Sequence, residues 1–330
     1  MNLNYPILFE PVLKNYVWGG RNIEKLGRTL PGSDRVAESW EISAHEDGIT
    51  KIANGKFAGM TLQDLFEQEG VNLVGTNNQW ALDRRKFPLL IKLLDAEERL
   101  SVQVHPDDNY AKSHEKNELG KSEMWVVLDA KPGAAIIYGL KKDVSPIDFR
   151  KAIDQENLEP YLNVVSIKSG DHICVPSGTL HAILEGALIA EIQQNSNTTY
   201  RVYDWNRKDQ NGKSREIHID KAIDVINFSQ VGKGLNPPEI INSNPVFIQE
   251  KLCTNKYFTT ERFTARKNFT YSGNCDGSTL EIWGVIQGEA VFGEKKIRAV
   301  NFCLLPAVMG SFSIEMKKTS VLLRIYTSNN

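Results

Sequence analysis

The stretch Leu100-Ser-Val-Gln-Val-His-Pro106 decides how this chain is read. Leu100, Val102 and Val104 alternate with Gln103 and His105. In a strand, residues i and i+2 share a face, so the apolar side chains point one way and the carboxamide and imidazole the other. Two later segments supply partners: Glu123 in Lys121-Ser-Glu-Met-Trp125, and His181 in Pro176-Ser-Gly-Thr-Leu-His181. Two imidazoles, a carboxylate and a carboxamide from three β segments can close around one divalent metal and leave a position for substrate. Both histidines lie beside turns, Pro106-Asp-Asp108 and Ser177-Gly-Thr179, and the mouths of β-barrels are common ligand sites.

Outward from that strand, the same pattern recurs. Short runs rich in β-branched residues, broken by Gly, Pro, Asn and Asp, cover Phe87–Leu94, Met124–Leu128, Ala134–Tyr138, His172–Val175, Ala187–Gln193 and Thr199–Tyr203. They predict a mainly β fold built as a sandwich or barrel. Helices are expected in few places. Thr61 caps Leu-Gln-Asp-Leu-Phe-Glu, Ser145 caps a segment with Pro146 in its first turn, and Ile219–Ile226 follows a helical pattern. Residues 229–246, rich in Gly, Pro and Asn, read as a linker, and 247–330 read as almost wholly β.

The two β regions echo each other. Glu123-Met-Trp-Val-Val-Leu128 resembles Glu281-Ile-Trp-Gly-Val-Ile286, and Ile173-Cys-Val-Pro176 resembles Cys303-Leu-Leu-Pro306. Five residues after each proline stand His181 and Ser311, so the second copy keeps the glutamate and loses the histidine. The expectation is a duplicated β domain: a metal-binding unit over 1–236 with helical insertions, and a degenerate copy over 237–330.

Bulk properties narrow the function classes. With 41% hydrophobic and 24% charged residues the chain is an ordinary globular protein, and a net charge of −2 points to no nucleic-acid or membrane-surface partner. No run approaches the roughly 20 apolar residues that span a bilayer, and Met1-Asn-Leu-Asn-Tyr-Pro6 shows no secretory pattern. A cytoplasmic location is therefore expected. Cys174, Cys253, Cys275 and Cys303 are far apart in sequence and are expected as reduced, packed thiols.

Four ordered motifs carry a resemblance. Gln103-Val-His-Pro-Asp-Asp108, Lys121-Ser-Glu-Met-Trp125, Val175-Pro-Ser-Gly-Thr-Leu-His-Ala182 and Glu191-Ile-Gln-Gln-Asn-Ser-Asn-Thr-Thr-Tyr-Arg-Val-Tyr-Asp204 resemble type I phosphomannose isomerases, most nearly the short bacterial form. The similarity starts at Asn15-Tyr-Val-Trp-Gly-Gly20 and reaches the C-terminal β region. It implies two cupin-type jelly-roll domains and one zinc ion held by Gln103, His105, Glu123 and His181. It also implies a catalytic Arg201 and pocket residues Trp18, Lys92, Lys121 and Glu191. The implied reaction interconverts D-mannose 6-phosphate and D-fructose 6-phosphate through an enediol. The partner would be a small phosphorylated sugar, and the chain a monomer or weak dimer. The separate helical domain of eukaryotic members has no room in this chain.

Simpler readings compete at each position. Arg201 could merely pair with Asp204 or Glu191. Lys92, inside Pro88-Leu-Leu-Ile-Lys-Leu-Leu94, could snorkel to the surface. Trp18 suits core and pocket equally. Glu191 is one candidate base, with Lys92 and Lys121 as alternatives if a neighbouring cation lowers their pKa. His45, His114, His172 and His218 read as surface or satisfied core residues, and His114–Lys121 as a solvated loop. Two other functions share the ligand set: a non-haem iron oxygenase and a non-catalytic sugar-phosphate-binding cupin.

Overall fold

A computed structural model describes residues 3–116, 118–208 and 212–327. Thirteen strands form the first half: β1 (Ile7–Glu10), β2 (Val12–Lys14), β3 (Glu38–Ile42), β4 (Lys51–Ile52), β5 (Leu89–Ala96), β6 (Val102–Val104), β7 (Glu123–Ala130), β8 (Ala135–Leu140), β9 (Leu162–Ser166), β10 (His172–Val175), β11 (His181–Ile183), β12 (Ala187–Gln194) and β13 (Tyr200–Tyr203). Ten more follow: β14 (Glu239–Ser243), β15 (Phe247–Thr254), β16 (Phe258–Ala265), β17 (Phe269–Cys275), β18 (Glu281–Gln287), β19 (Glu289–Phe292), β20 (Lys295–Arg298), β21 (Asn301–Leu305), β22 (Gly310–Met316) and β23 (Val321–Thr327).

Two sheets face each other in the first half, ordered β10-β7-β12-β5-β3-β2 and β13-β6-β11-β8-β9. Leu94, Trp125, Val127 and Ile189 of the first sheet pack on Ile136 and Ile183 of the second. The second half repeats this with β14-β15-β16-β23-β18-β21-β1-β4 against β17-β22-β19-β20, around Phe263, Trp283 and Leu322 on one side and Phe292, Ile314 and Met316 on the other. The architecture is the mainly β, cupin-type pairing of jelly-roll units that the sequence implied.

The echo between the halves holds at the level of register. Val175 pairs with Glu123 and Ile173 with Trp125 in the first unit. Leu305 pairs with Glu281 and Cys303 with Trp283 in the second.

Several details differ from the sequence reading. β1 and β4 join the sheet of the second half, through Ile7 opposite Leu304 and Phe9 opposite Ile52. The strand β14 lies inside the expected linker and pairs with β15. Strands β5 and β12 are buried on both faces, because their outward residues Ile91, Leu93, Ala190 and Ile192 enter one core with Leu252, Ile282 and Leu323 of the second half. That double burial explains why they read as continuous apolar runs rather than alternations. Cys174 of β10 and Cys253 of β15 form a disulfide, with their Cα atoms 5.8 Å apart, while Cys275 and Cys303 are free and buried. The expectation of four reduced thiols fails for that pair because the fold apposes two strands 79 residues apart in sequence.

The expected helices form as their caps dictate. The hydroxyl of Thr61 accepts from the Asp64 amide ahead of Leu62–Glu69, and that of Ser145 from the Asp148 amide ahead of Pro146–Asp154. A third expected helix covers Ile219–Val225. Among the described residues three more α-helices form, Val71–Val74, Gln79–Arg84 and Asp108–His114; the last ends where the expected loop begins, and beyond it Leu119–Ser122 are buried. The charges there are consumed internally: Glu118 bonds His45 and Lys86.

Candidate metal centre and substrate cavity

The turns beside β6 and β11 bring the two histidine segments together. Gly178 adopts φ +81°, a conformation most side chains resist, and its amide donates to the His105 carbonyl at 2.8 Å. β11 then pairs with β6, setting His181 opposite Gln103, and β12 sets Gln193 opposite Glu123. As a result His105, Glu123 and His181, each 1% exposed, offer ligand atoms that all lie within 4.8 Å of one another.

The donor atoms are already aimed. His105 Nδ1 lies 2.8 Å from the Thr198 carbonyl and His181 Nδ1 2.9 Å from the Thr179 carbonyl. A carbonyl only accepts, so each Nδ1 carries the proton and each Nε2 keeps its lone pair for the centre. His105 Nε2 is 3.2 Å from one Glu123 oxygen and His181 Nε2 3.8 Å from the other. Both carboxylate oxygens are buried without a hydrogen bond. Lys121 Nζ stands 2.6 Å from Oε1 and 3.4 Å from His105 Nε2, a charge contact off hydrogen-bond geometry for the carboxylate.

The electrostatics suit a cation. Burial and the Lys121 ammonium push His105 down to about 3, and burial lowers His181, so both imidazoles stay neutral. Burial opposes the charge on Glu123, yet Lys121 and His105 outweigh it and hold that carboxyl well below the usual range. Two neutral imidazoles and an ionised, orphaned carboxylate fit a divalent metal. Gln103 stands beside them, its Nε2 3.4 Å from His181 Nε2 and its Oε1 accepting from the Ser101 hydroxyl at 3.3 Å. A carboxamide flip would turn Oε1 toward the imidazole.

A second charged group lies on the same inward face. Glu191 Oε2 accepts from the Trp125 indole at 3.0 Å, and Oε1 is 3.7 Å from Lys92 Nζ. Burial and the Glu123 charge raise the Glu191 carboxyl to about 7. Lys92 is buried, not snorkelling: it lies 3.4 Å from Glu38 and 4.6 Å above the Trp40 ring. Burial alone would lower its pKa, but Glu38, Glu191 and Glu123 win and raise it, which removes Lys92 as a neutral base.

A cavity of about 350 Å³ opens onto Gln103. Trp18, stacked on Tyr16 at 5.8 Å, forms one wall. Gly19 makes that placement possible, since a Cβ there would meet the Ala37 backbone at 2.5 Å. Arg201 also lines the cavity; its Nε donates to Ser101 at 3.2 Å and its Nη1 to the Glu216 carbonyl at 2.8 Å. Among the described residues it has no carboxylate partner, so the simple salt-bridge reading of Arg201 does not hold. Leu100 also faces this cavity, because the alternation begins only at Val102.

Sequence reasoning passed over Glu38, Arg215 and His218, which also line the cavity. His218 is neither a plain surface nor a core residue: its amide donates to the Arg201 carbonyl at 2.7 Å. Nothing short-range flagged these three, since Glu38 reaches the cavity from β3 and Arg215 and His218 from the loop ahead of Ile219–Val225, far from the motif strands in sequence.

The second unit has closed the equivalent place. Arg324 occupies the register position of Glu191, opposite Trp283, and Glu261 that of Lys92. There Arg324 bonds Glu281 and lies 3.5 Å from Glu261, so a guanidinium sits against the glutamate that corresponds to Glu123.

Comparison with known proteins gives a consistent result. Residues 7–129 match the family model described as phosphomannose isomerase type I, catalytic domain. The chain is similar to mannose-6-phosphate isomerase ManA of Bacillus subtilis, 38% identical over 94% of this chain and 96% of that protein. The probable mannose-6-phosphate isomerase GmuF of the same organism is 38% identical over 95% and 97%. The crystal structure of a Bacillus subtilis mannose 6-phosphate isomerase superimposes with a TM-score of 0.85 at 36% identity, over 97% of this chain and 99% of that one.

Proposed function

The chain belongs to the type I phosphomannose isomerases, a metal-dependent family, and on that premise we propose how its own residues interconvert D-mannose 6-phosphate and D-fructose 6-phosphate. The observation that carries the proposal is the buried triad of His105, Glu123 and His181, in which two neutral Nε2 acceptors and an ionised carboxylate converge. These residues, with Gln103 as fourth ligand, would hold one zinc ion. When bound, the zinc supplies a Lewis acid that polarises sugar oxygens and fixes their placement.

The reaction moves a proton between C2 and C1 of the open-chain sugar. Glu191 is the base we assign: its carboxyl is held near neutrality, where proton uptake and release are both accessible. It takes the C2 proton of the aldose, and the electron pair shifts to O1 to give the enediolate. The proton on O2 then passes to O1, and return of the abstracted proton to C1 gives the ketose. Trp125 orients Glu191 by its indole N–H, and Lys121 and then Lys92 keep the carboxyl from rising further. Lys121 is the second candidate for proton transfer, since its ammonium lies against Glu123 and His105. Arg201, free of any carboxylate among the described residues, stabilises charge on the enediolate from the cavity side. Trp18 offers a flat face to the sugar.

The cavity arginines Arg201 and Arg215 suit a phosphorylated substrate. The test is a coupled assay on mannose 6-phosphate and glucose 6-phosphate, before and after chelation. Turnover of the first sugar only, lost with chelator and restored by zinc, is the expected result; turnover unaffected by full metal removal would contradict the proposal.

A further inference from the structure

We propose that Arg215 is the phosphate anchor of the cavity, leaving Arg201 for the reacting end of the sugar. The inference rests on the isomerase reading for the identity of the sugar, not for the presence of a phosphate site.

Three observations lead to it. First, Arg215 lines the cavity together with Arg201, Asn197 and His218. Second, its guanidinium is held in a fixed fork. Nε donates to Asp204 Oδ2 at 2.8 Å and Nη2 donates to Oδ1, so neither bond uses Nη1. Asp204 is itself buried, and burial would raise its carboxyl, but Arg215 and Arg207 outweigh this and hold it below the usual range. A carboxylate shared between two guanidiniums leaves a net positive charge at the cavity wall. Third, Arg201 is tied to the metal end. Its Nε bonds Ser101, whose hydroxyl bonds Gln103, whereas the described side-chain bonds of Arg215 run to Asp204 alone.

Two guanidiniums on one cavity wall repel each other, and an anion between them relieves that repulsion. Burial and then Arg215 lower the pKa of Arg201, which places the two within electrostatic reach. Glu38 is the one carboxylate among the described lining residues, and Lys92 already pairs with it. A phosphate monoester supplies the missing negative charge and accepts the planar N–H donors that a guanidinium presents.

Arg207 provides the comparison. It donates to the same Oδ1 of Asp204 and to the Arg99 carbonyl, and it lines a separate cavity. The experiment is calorimetric titration of inorganic phosphate into wild type, Arg215→Gln and Arg207→Gln, with steady-state kinetics on mannose 6-phosphate alongside. Loss of one charge-assisted contact predicts a Kd for phosphate raised about 10- to 100-fold in Arg215→Gln, with KM raised in parallel and kcat within about threefold. Arg207→Gln, which removes only the more distant share of that charge, should raise the phosphate Kd less than Arg215→Gln does and leave kcat unchanged. A phosphate Kd unchanged in Arg215→Gln, or raised equally in Arg207→Gln, overturns the assignment. Should Arg215→Gln not fold, a crystal of the wild-type protein soaked in phosphate decides: phosphate on Arg215 Nη1 supports the proposal, and phosphate on Arg201 without Arg215 refutes it. Phosphate binding is read without turnover, so a wild type that binds phosphate through Arg215 yet does not isomerise the sugar would sink the isomerase reading alone.

Discussion

Replacing Glu191 with Gln removes one charge and almost no volume, and its consequences can be worked from the site. Glu191 is buried, and its carboxyl rises from 4.5 to about 7 through burial and the nearby Glu123 charge. At 1.36 kcal/mol per pH unit, ionising it inside the fold costs roughly 3 kcal/mol. The sign follows from the direction of the shift. Below pH 4.5 both folded and unfolded chains keep the proton and there is no cost. As pH rises toward 7 the unfolded chain ionises first, so folded stability falls, and above about 7 the loss is complete. Glutamine does not titrate. In metal-stripped protein, where Glu123 keeps its full charge, Glu191→Gln should therefore gain on wild type steadily from pH 5 to 8, by roughly 3 kcal/mol at most. Urea denaturation at pH 5, 6, 7 and 8 measures this. Activity should move oppositely. Loss of a general base lowers kcat by about 10²- to 10⁴-fold, and the acid limb that this base gives the wild-type kcat/KM profile should vanish. A variant within tenfold of wild-type kcat, or a stability difference flat across pH, would refute the assignment of Glu191.

Other perturbations separate the parts of the site. His105→Ala and His181→Ala should each lose the metal and all isomerisation, read by elemental analysis and the coupled assay; a variant that keeps stoichiometric metal contradicts the ligand set. Arg201→Ala should keep the metal while turnover falls about 10²- to 10³-fold, as for removal of one donor to a developing negative charge. Arg324→Leu should leave metal and kcat intact. It strands Glu281 and Glu261 in the second unit and should cost about 3–5 kcal/mol in urea denaturation, with an effect under 1 kcal/mol showing that the ion pair is not needed there.

Much of this was legible in the sequence because it is local. Period-two alternation exposed Gln103 and His105, and the caps at Thr61 and Ser145 fixed where two helices start. The Glu-x-Trp echo gave the repeat, and its register in β7 and β18 matches. What escaped is non-local. The pairing of β1 with β21 joins segments almost 300 residues apart, and no short pattern in Ile7–Glu10 distinguishes one sheet from the other. The Cys174–Cys253 bond depends on how the two units dock, which is set by the shared core of Ile91, Ala190 and Ile282 rather than by cysteine spacing. Lys92 read as an anomaly in an apolar run, and the structure explains it: β5 is buried on both faces, and the lysine meets Glu38 and Glu191 on the inner one. Glu38 itself lay unnoticed because its role exists only once β3 pairs with β5.

The central claim is that one divalent metal is held by side chains from β6, β7 and β11. Anomalous diffraction from crystals of the active protein, recorded above and below the zinc edge, tests it most directly. One peak per chain is predicted, about 2.0–2.2 Å from Nε2 of His105, Nε2 of His181 and an oxygen of Glu123. A fully active crystal with no anomalous peak among these three residues, or with its metal bound elsewhere, would contradict the account.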